Sequence, residues 1–303
     1  MEPMKGDTSD AIRTITGHAR EITRGSYKNT GELLRLADES THPREIADLA
    51  ETIGMMSVKV EAREFALQQK NAELEEALKL RSVASGLLLW YALSISIYIF
   101  ILAFFHQPGI LDPEKPVLIR WFGNIFILSQ VVMMTILIRQ SGFPVSAYGV
   151  TARNWRKSVK EALIVSGVAI AGLLLLKLVM VHSDTMLKGK PIIALEELST
   201  LFFYTFILSA PLQEFLIRGV LQSSAGWILM GKRKVFWSVV SVSLIFGATH
   251  TVFSLSFALL TFLVSLLWGW LFARHRTLIG VSICHLLMGV AFILLGFWEV
   301  IAF

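Results

Sequence analysis

The sequence predicts an all-α, polytopic membrane helix bundle of about seven transmembrane helices, preceded by a cytoplasmic helical coiled-coil region. Three observations predict it. Of 303 residues, 54% are hydrophobic and only 17% charged, far from the balance of a soluble domain. Much of the charge falls before about residue 82, and apolar runs long enough to span a bilayer dominate beyond it. Basic clusters sit in short loops between those runs, a pattern of membrane orientation.

Residues 1–82 are helical by pattern. Ile12, Ile15, Ala19 and Ile22 follow a three-four spacing, and after Pro43 come Ile46, Leu49, Ile53, Met56, Val60, Leu67 and Leu74. The second set reads as a coiled-coil seam, with Asn71 at a core-like position. Two amphipathic helices, a polar connector and a continuing stalk resemble a HAMP signalling module, through Ala19-Arg20-Glu21-Ile22-Thr23-Arg24-Gly25-Ser26-Tyr27 and Arg44-Glu45-Ile46-Ala47-Asp48-Leu49-Ala50. An ordinary dimerising coiled coil is the other reading. Both imply a parallel homodimer, because a lone amphipathic helix cannot bury its own seam.

Seven apolar segments follow, beginning near Ala84, Leu118, Val159, Leu201, Phe236, Phe257 and Leu278. Residues 83–158 hold the first two and a basic loop; residues 159–303 hold the rest. No signal-peptide core precedes the first segment, which is expected to act as an uncleaved anchor. The loops holding Arg139, Arg153, Arg156 and Lys157, Lys232-Arg233-Lys234, and Arg274-His275-Arg276 are basic. Those around Asp112–Glu114 and Asp184–Glu197 are mixed or acidic. The positive-inside rule then places the N-terminus in the cytoplasm and the C-terminus outside. The net charge of +5 fits this orientation better than nucleic-acid binding, and no nucleic-acid partner is expected. A single cysteine, Cys284, excludes an intrachain disulfide framework.

The chemistry concentrates in three places. In Gln213-Glu214-Phe215-Leu216-Ile217-Arg218-Gly219 a carboxylate and a guanidinium lie in apolar sequence, which is expensive in hydrocarbon and therefore points to function. Glu214 and Arg218, four apart, share a helix face, and Arg218 keeps the carboxylate charged; a structural ion pair is the plainer reading. Gln213 is turned about 100° away and can aim into a cavity. Pro211 is expected to loosen the preceding turn, and Gly219 to admit a neighbouring helix. The second place is Phe246-Gly247-Ala248-Thr249-His250, where His250 reads as a general acid or base, a metal ligand or a packing residue. The third is His285, whose neighbour Cys284 diverges from it on a helix and reads as a small core residue.

These residues resemble the CPBP family of CAAX proteases and bacteriocin-processing enzymes, also called the Abi family. Its pattern is Glu-Glu-x-x-x-Arg, Phe-x-x-x-His and His-x-x-x-Asn or Asp, each on its own transmembrane helix. Glu214 and Arg218, Phe246 and His250, and His285 match it, and the resemblance covers roughly residues 160–300. Gln213 stands in place of the first Glu and Gly289 in place of the Asn or Asp. The resemblance implies that the first Glu activates water, and that the histidines and the Asn position water and stabilise the oxyanion. Gln cannot take a proton at neutral pH, so the usual base is missing. Three accounts stand: Glu214 is the base with Gln213 orienting water, His250 is the base, or the site is catalytically dead and binds a peptide or partner.

The implied function is intramembrane endoproteolysis of a membrane-associated protein or peptide, with catalytic residues Glu214, His250, His285 and Gln213 and charge partner Arg218. No cofactor is expected. Two histidines and a Glu could hold zinc, but Arg218 would repel a cation. The cavity is expected among the fourth, fifth and seventh segments. For the two motifs to meet near mid-membrane, the fourth helix should span about 205–228 and the fifth about 239–258. The alternatives are a signalling or scaffold protein with a degenerate site gated by the coiled coil, and a transporter, which the lack of an obvious inverted repeat disfavours.

Overall fold

A computed structural model describes residues 8–27, 30–105, 116–183, 187, 190–196 and 201–301. The acidic loop at Asp112–Glu114, and Asp184 and Glu197 at the ends of the other, lie outside these residues. The regular elements described are all helical. They form two compact units, 1–79 and 80–303.

In the first unit, α1 (Thr8–Thr23), α2 (Thr30–Leu36) and the start of α3 (Arg44–Phe105) make a small core of Ala11, Ile15, Leu33, Ile46 and Ala50. The buried stripe of α1 is Ala11, Ile15, His18 and Ile22, so the face is turned from the expected one and Ile12 is exposed. His18 reaches Glu32 of α2 at 3.1 Å. The expected seam of α3 divides. Ile46 is buried, and Ile53 partly so, against the chain's own α1 and α2. Leu49, Met56, Leu67 and Leu74 remain exposed. A seam can thus be covered in part from within one chain.

In the second unit the rest of α3 joins α4 (Pro116–Ser141), a short 3-10 turn (Val145–Tyr148), α5 (Trp155–His182), α6 (Leu201–Glu214), a π-helical stretch (Phe215–Gln222), α7 (Ser223–Ile228), α8 (Lys234–Ala248), α9 (Leu255–His275), α10 (Leu278–Leu294) and α11 (Phe297–Ile301). Among the described residues, α3, α4, α5 and α9 are long and apolar enough to cross a bilayer. The chain is a polytopic helical membrane protein. All seven apolar segments contain a helix, but α8 and α10 are short. Outward residues such as Val168, Leu175 and Val179 are large, apolar and exposed, as a lipid-facing surface requires. Inside, α10 packs on α5 and α6, and α8 on α9.

The fifth segment departs most from expectation. It is helical over Lys234–Ala248, not 239–258, so His250 lies in the turn just after the helix. The hydroxyls of Thr249 and Thr251 bond back to the carbonyls of Phe246 and Ala248 at 2.8 Å, and Ser254 caps α9 through the Phe257 N–H. Hydroxyls that satisfy backbone groups locally favour ending a helix here.

Candidate active site

The first motif sits where the helix changes winding. Pro211 lies inside α6 and removes a donor from its ladder, and π-helical bonding begins at Phe215. Such wide turns occur mostly at functional sites. A π turn takes more than four residues, so Glu214, Arg218 and Gln222, four apart, stay nearly in line. The contacts agree: Arg218 Nε donates to Glu214 Oε2 and Arg218 Nη1 to Gln222 Oε1, both at 3.3 Å.

Arg218 and Glu214 are both fully buried. The guanidinium is solvated by protein instead of water. Besides Glu214 and Gln222 it donates to Ser243 on α8 and Ser265 on α9. Gln222 is in turn fixed by donating to the Gly269 carbonyl at 2.8 Å. These partners were absent from the sequence reading. Their signal was present as small hydroxyl and amide residues in otherwise apolar helices, the composition that can solvate a buried charge. A Cβ at Gly219 would lie 2.8 Å from the carbonyl oxygen of Tyr148, in the 3-10 turn, and 3.5 Å from Leu278 at the start of α10.

The other oxygen of Glu214, Oε1, lies 2.8 Å from His285 Nδ1. A carboxylate only accepts, so Nδ1 is the donor, and in the neutral imidazole Nε2 carries the lone pair. Trp268 stacks on the His285 ring with centroids 4.0 Å apart, and Phe206 and Phe246 stand edge-on to it. His250 is held in the same way: Nδ1 donates to the Phe246 carbonyl at 2.8 Å, leaving Nε2 free. The Phe246 ring stands edge-on to both imidazoles, 4.7 Å from His250 and 6.3 Å from His285.

A cavity of about 630 Å³ opens beside them. Gln213, His250 and His285 line it; Glu214 and Arg218 do not, and stand behind its wall. Gln213 is half-buried and makes no side-chain hydrogen bond to a described residue. The cavity draws on more helices than the three expected: Tyr98 of α3, Asn124 of α4 and Trp268 of α9 also line it. Asn124 likewise has no side-chain hydrogen bond to a described residue. Cys284 is buried and accepts from Ser166, as suits a small core residue. Among the described residues, no three His, Cys, Asp or Glu side chains converge as a metal site.

Residues 196–291 match the model of the family described as Type II CAAX prenyl endopeptidase Rce1-like. This stretch is an Rce1-like domain. It covers about a third of the chain and contains all three motifs, from Gln213 to Gly289. No curated protein and no solved structure matches the chain. The Rce1-like domain implies a protease and therefore a protein or peptide substrate. Its two departures from the family pattern have distinct surroundings. Gln213 reaches the cavity, where a carboxylate would stand. Gly289 faces the Phe206 ring, whose edge occupies the space a Cβ would need.

Proposed function

We propose that this protein is an intramembrane endopeptidase of the CPBP type in which His285 is the general base and Glu214 positions it. The observation that carries the reading is the 2.8 Å contact between Glu214 Oε1 and His285 Nδ1, beside a cavity that His285 lines and Glu214 does not. With Gln at 213, the carboxylate that would face substrate is gone. The remaining carboxylate is tied to Arg218 and His285. A buried acid that orients an imidazole and stabilises its cation is the logic of a Ser-His-Asp triad, applied here to water.

The steps balance as hydrolysis. His285 Nε2 takes a proton from water as its oxygen attacks the scissile carbonyl carbon. The Gln213 amide, without a side-chain partner among the described residues, donates to the developing oxyanion. The tetrahedral intermediate collapses with cleavage of the C–N bond, and the proton on His285 passes to the leaving amine. His250, whose Nε2 is also unprotonated and which lines the same cavity, holds the attacking water. The scheme uses no metal, and Arg218 neutralises the Glu214 carboxylate that would otherwise attract one. The N-terminal region cytoplasmic, a bundle of seven crossings and a parallel dimer through α3 complete the reading.

The test is cleavage of a peptide library by purified full-length protein. The native protein should cleave, while His285→Ala and Glu214→Gln should both lose about a hundredfold or more in rate. Native cleavage that survives His285→Ala would overturn the assignment of the base. A second reading, a degenerate site that serves signalling or scaffolding, draws support from Gly289 and the Phe206 ring over it. Absence of cleavage by the native protein across the library would favour it.

A further inference from the structure

A second cavity, of about 500 Å³, lies away from the hydrolytic site, at the basic end of the bundle. It forms where the first turns of α5 meet the last turn of α9. Asn154, Lys157, Lys160 and Ile164 line it from α5 and its approach, and Arg274 and His275 from α9. Among the described residues, its one acidic liner is Glu161. That carboxylate is already committed: Arg274 lies 3.3 Å from Oε1, and His275 Nε2 bonds Oε2. Lys157 and Lys160 are exposed and make no ion pair with a described residue. Leaving His275 aside, the three cations Lys157, Lys160 and Arg274 and the one carboxylate leave the pocket at +2, with two ammonium groups unspent.

We propose that this pocket binds the phosphate of an anionic lipid headgroup. The pocket supplies the charge and donors a phosphate takes, from two lysines, Arg274 and the Asn154 amide. A free phosphate would satisfy the same chemistry, but the surface continues in a way that only a lipid uses. Ile164, on the pocket wall, begins an exposed stripe on α5 through Val168, Leu175 and Val179, at four-seven-four spacing. On α9 the exposed residues Trp270, Leu263 and Leu259 run away from Arg274 at the same spacing. The two helices pack on each other, and an apolar track on each leads away from the charged head site. Trp155, 45% exposed beside the pocket with Arg156 over its ring, marks the headgroup level. The Glu161 bridge to Arg274 and His275 ties α5 to α9, so a headgroup on the lysines clamps the same joint.

The experiment uses full-length protein in neutral detergent. Native mass spectrometry and thermal unfolding are recorded with phosphatidylglycerol, with phosphatidylcholine, and with inorganic phosphate. Phosphatidylglycerol should remain bound and raise the unfolding temperature, while phosphatidylcholine at equal concentration does neither. Each lysine should contribute about fivefold to affinity, so Lys157→Ala/Lys160→Ala should lose about twenty-five-fold. Lys157→Arg/Lys160→Arg should retain binding. Lys232→Ala/Arg233→Ala removes as much charge from the same end without touching the pocket, and should also retain it. Equal retention of both lipids, or equal losses in the two alanine pairs, would overturn the site. Displacement of the lipid by inorganic phosphate at matching concentration would overturn the lipid as occupant.

Discussion

The edge of the Phe206 ring, on α6, fills the space that a side chain at Gly289, on α10, would occupy. The loss of an amide at 289 is therefore accompanied by an aromatic ring in its place. That ring also stands edge-on to His285, with centroids 5.8 Å apart, and so helps hold the imidazole.

A prediction about repair follows. Gly289→Asn alone should lower the unfolding temperature, because overpacking a filled site typically costs about 1–3 kcal/mol. Gly289→Asn with Phe206→Ala relieves the collision and returns a donor to the cavity. If position 289 serves the oxyanion, the pair should exceed Phe206→Ala alone by about a hundredfold in cleavage rate. Equal rates for Phe206→Ala and the pair would show that position 289 has no such role here.

The same pair of residues shows what the sequence could and could not reveal. The helical class, the positions of the apolar segments and the three motifs follow from composition and short-range spacing, and were legible. Glu214 and Arg218 were readable as a pair because four-residue spacing is a local property. The partner of Glu214 across 71 positions, His285, was readable only as a member of the same constellation, not as its hydrogen-bond donor. Phe206 carried no signal at all, since an aromatic residue in an apolar helix is ordinary. The end of α8 at Ala248 is masked in the sequence by Val252, Phe253 and Leu255 beyond it; the local competition from Thr249, Thr251 and Ser254 is its one signal. The π turn was equally hidden, although Pro211 hinted at altered winding.

Arg218 should matter for stability more than for chemistry. Arg218→Ala leaves the buried Glu214 with His285 as its remaining partner and should cost about 3–5 kcal/mol. Arg218→Lys should recover only part of this. One ammonium cannot reach Glu214, Gln222, Ser243 and Ser265 with the fork of a guanidinium. Thermal unfolding in detergent checks the order native, Arg218→Lys, Arg218→Ala. A native-like Arg218→Ala would contradict the ion-pair argument.

The exposed half of the α3 seam predicts association. Leu67 and Leu74, seven apart, are 62% and 57% exposed. In a parallel dimer each would face its own counterpart, so Leu67→Cys and Leu74→Cys should each cross-link full-length protein in membranes. Gln68→Cys, one position off the seam, should do so much less. Equal yields at 67 and 68 would exclude a fixed parallel seam.

The last prediction concerns Gln213. It lines the cavity without a side-chain partner among the described residues, so Gln213→Glu places a second carboxylate where a substrate carbonyl and water would meet. Two outcomes separate the candidate bases. If His285 is the base and Gln213 the oxyanion donor, Gln213→Glu replaces a donor with a group that only accepts when charged, and cleavage should fall by about a hundredfold or more. If the native site lacks a competent base, the same substitution supplies one and cleavage should rise by about the same factor. Electrostatics adds a condition to both. A carboxylate next to Glu214 repels it, and Arg218, already shared with Gln222, Ser243 and Ser265, offsets only part of that. Gln213→Glu should therefore unfold at a lower temperature than the native protein at neutral pH. Gln213→Ala separates charge from donor loss: it removes the amide without adding repulsion. The measurements are initial cleavage rates of native protein, Gln213→Ala, Gln213→Glu and Glu214→Gln on one substrate, with unfolding temperatures alongside. Rates that fall for Gln213→Ala and Gln213→Glu alike support the donor role. A rise confined to Gln213→Glu would move the base from His285 to position 213 and overturn the His285 mechanism.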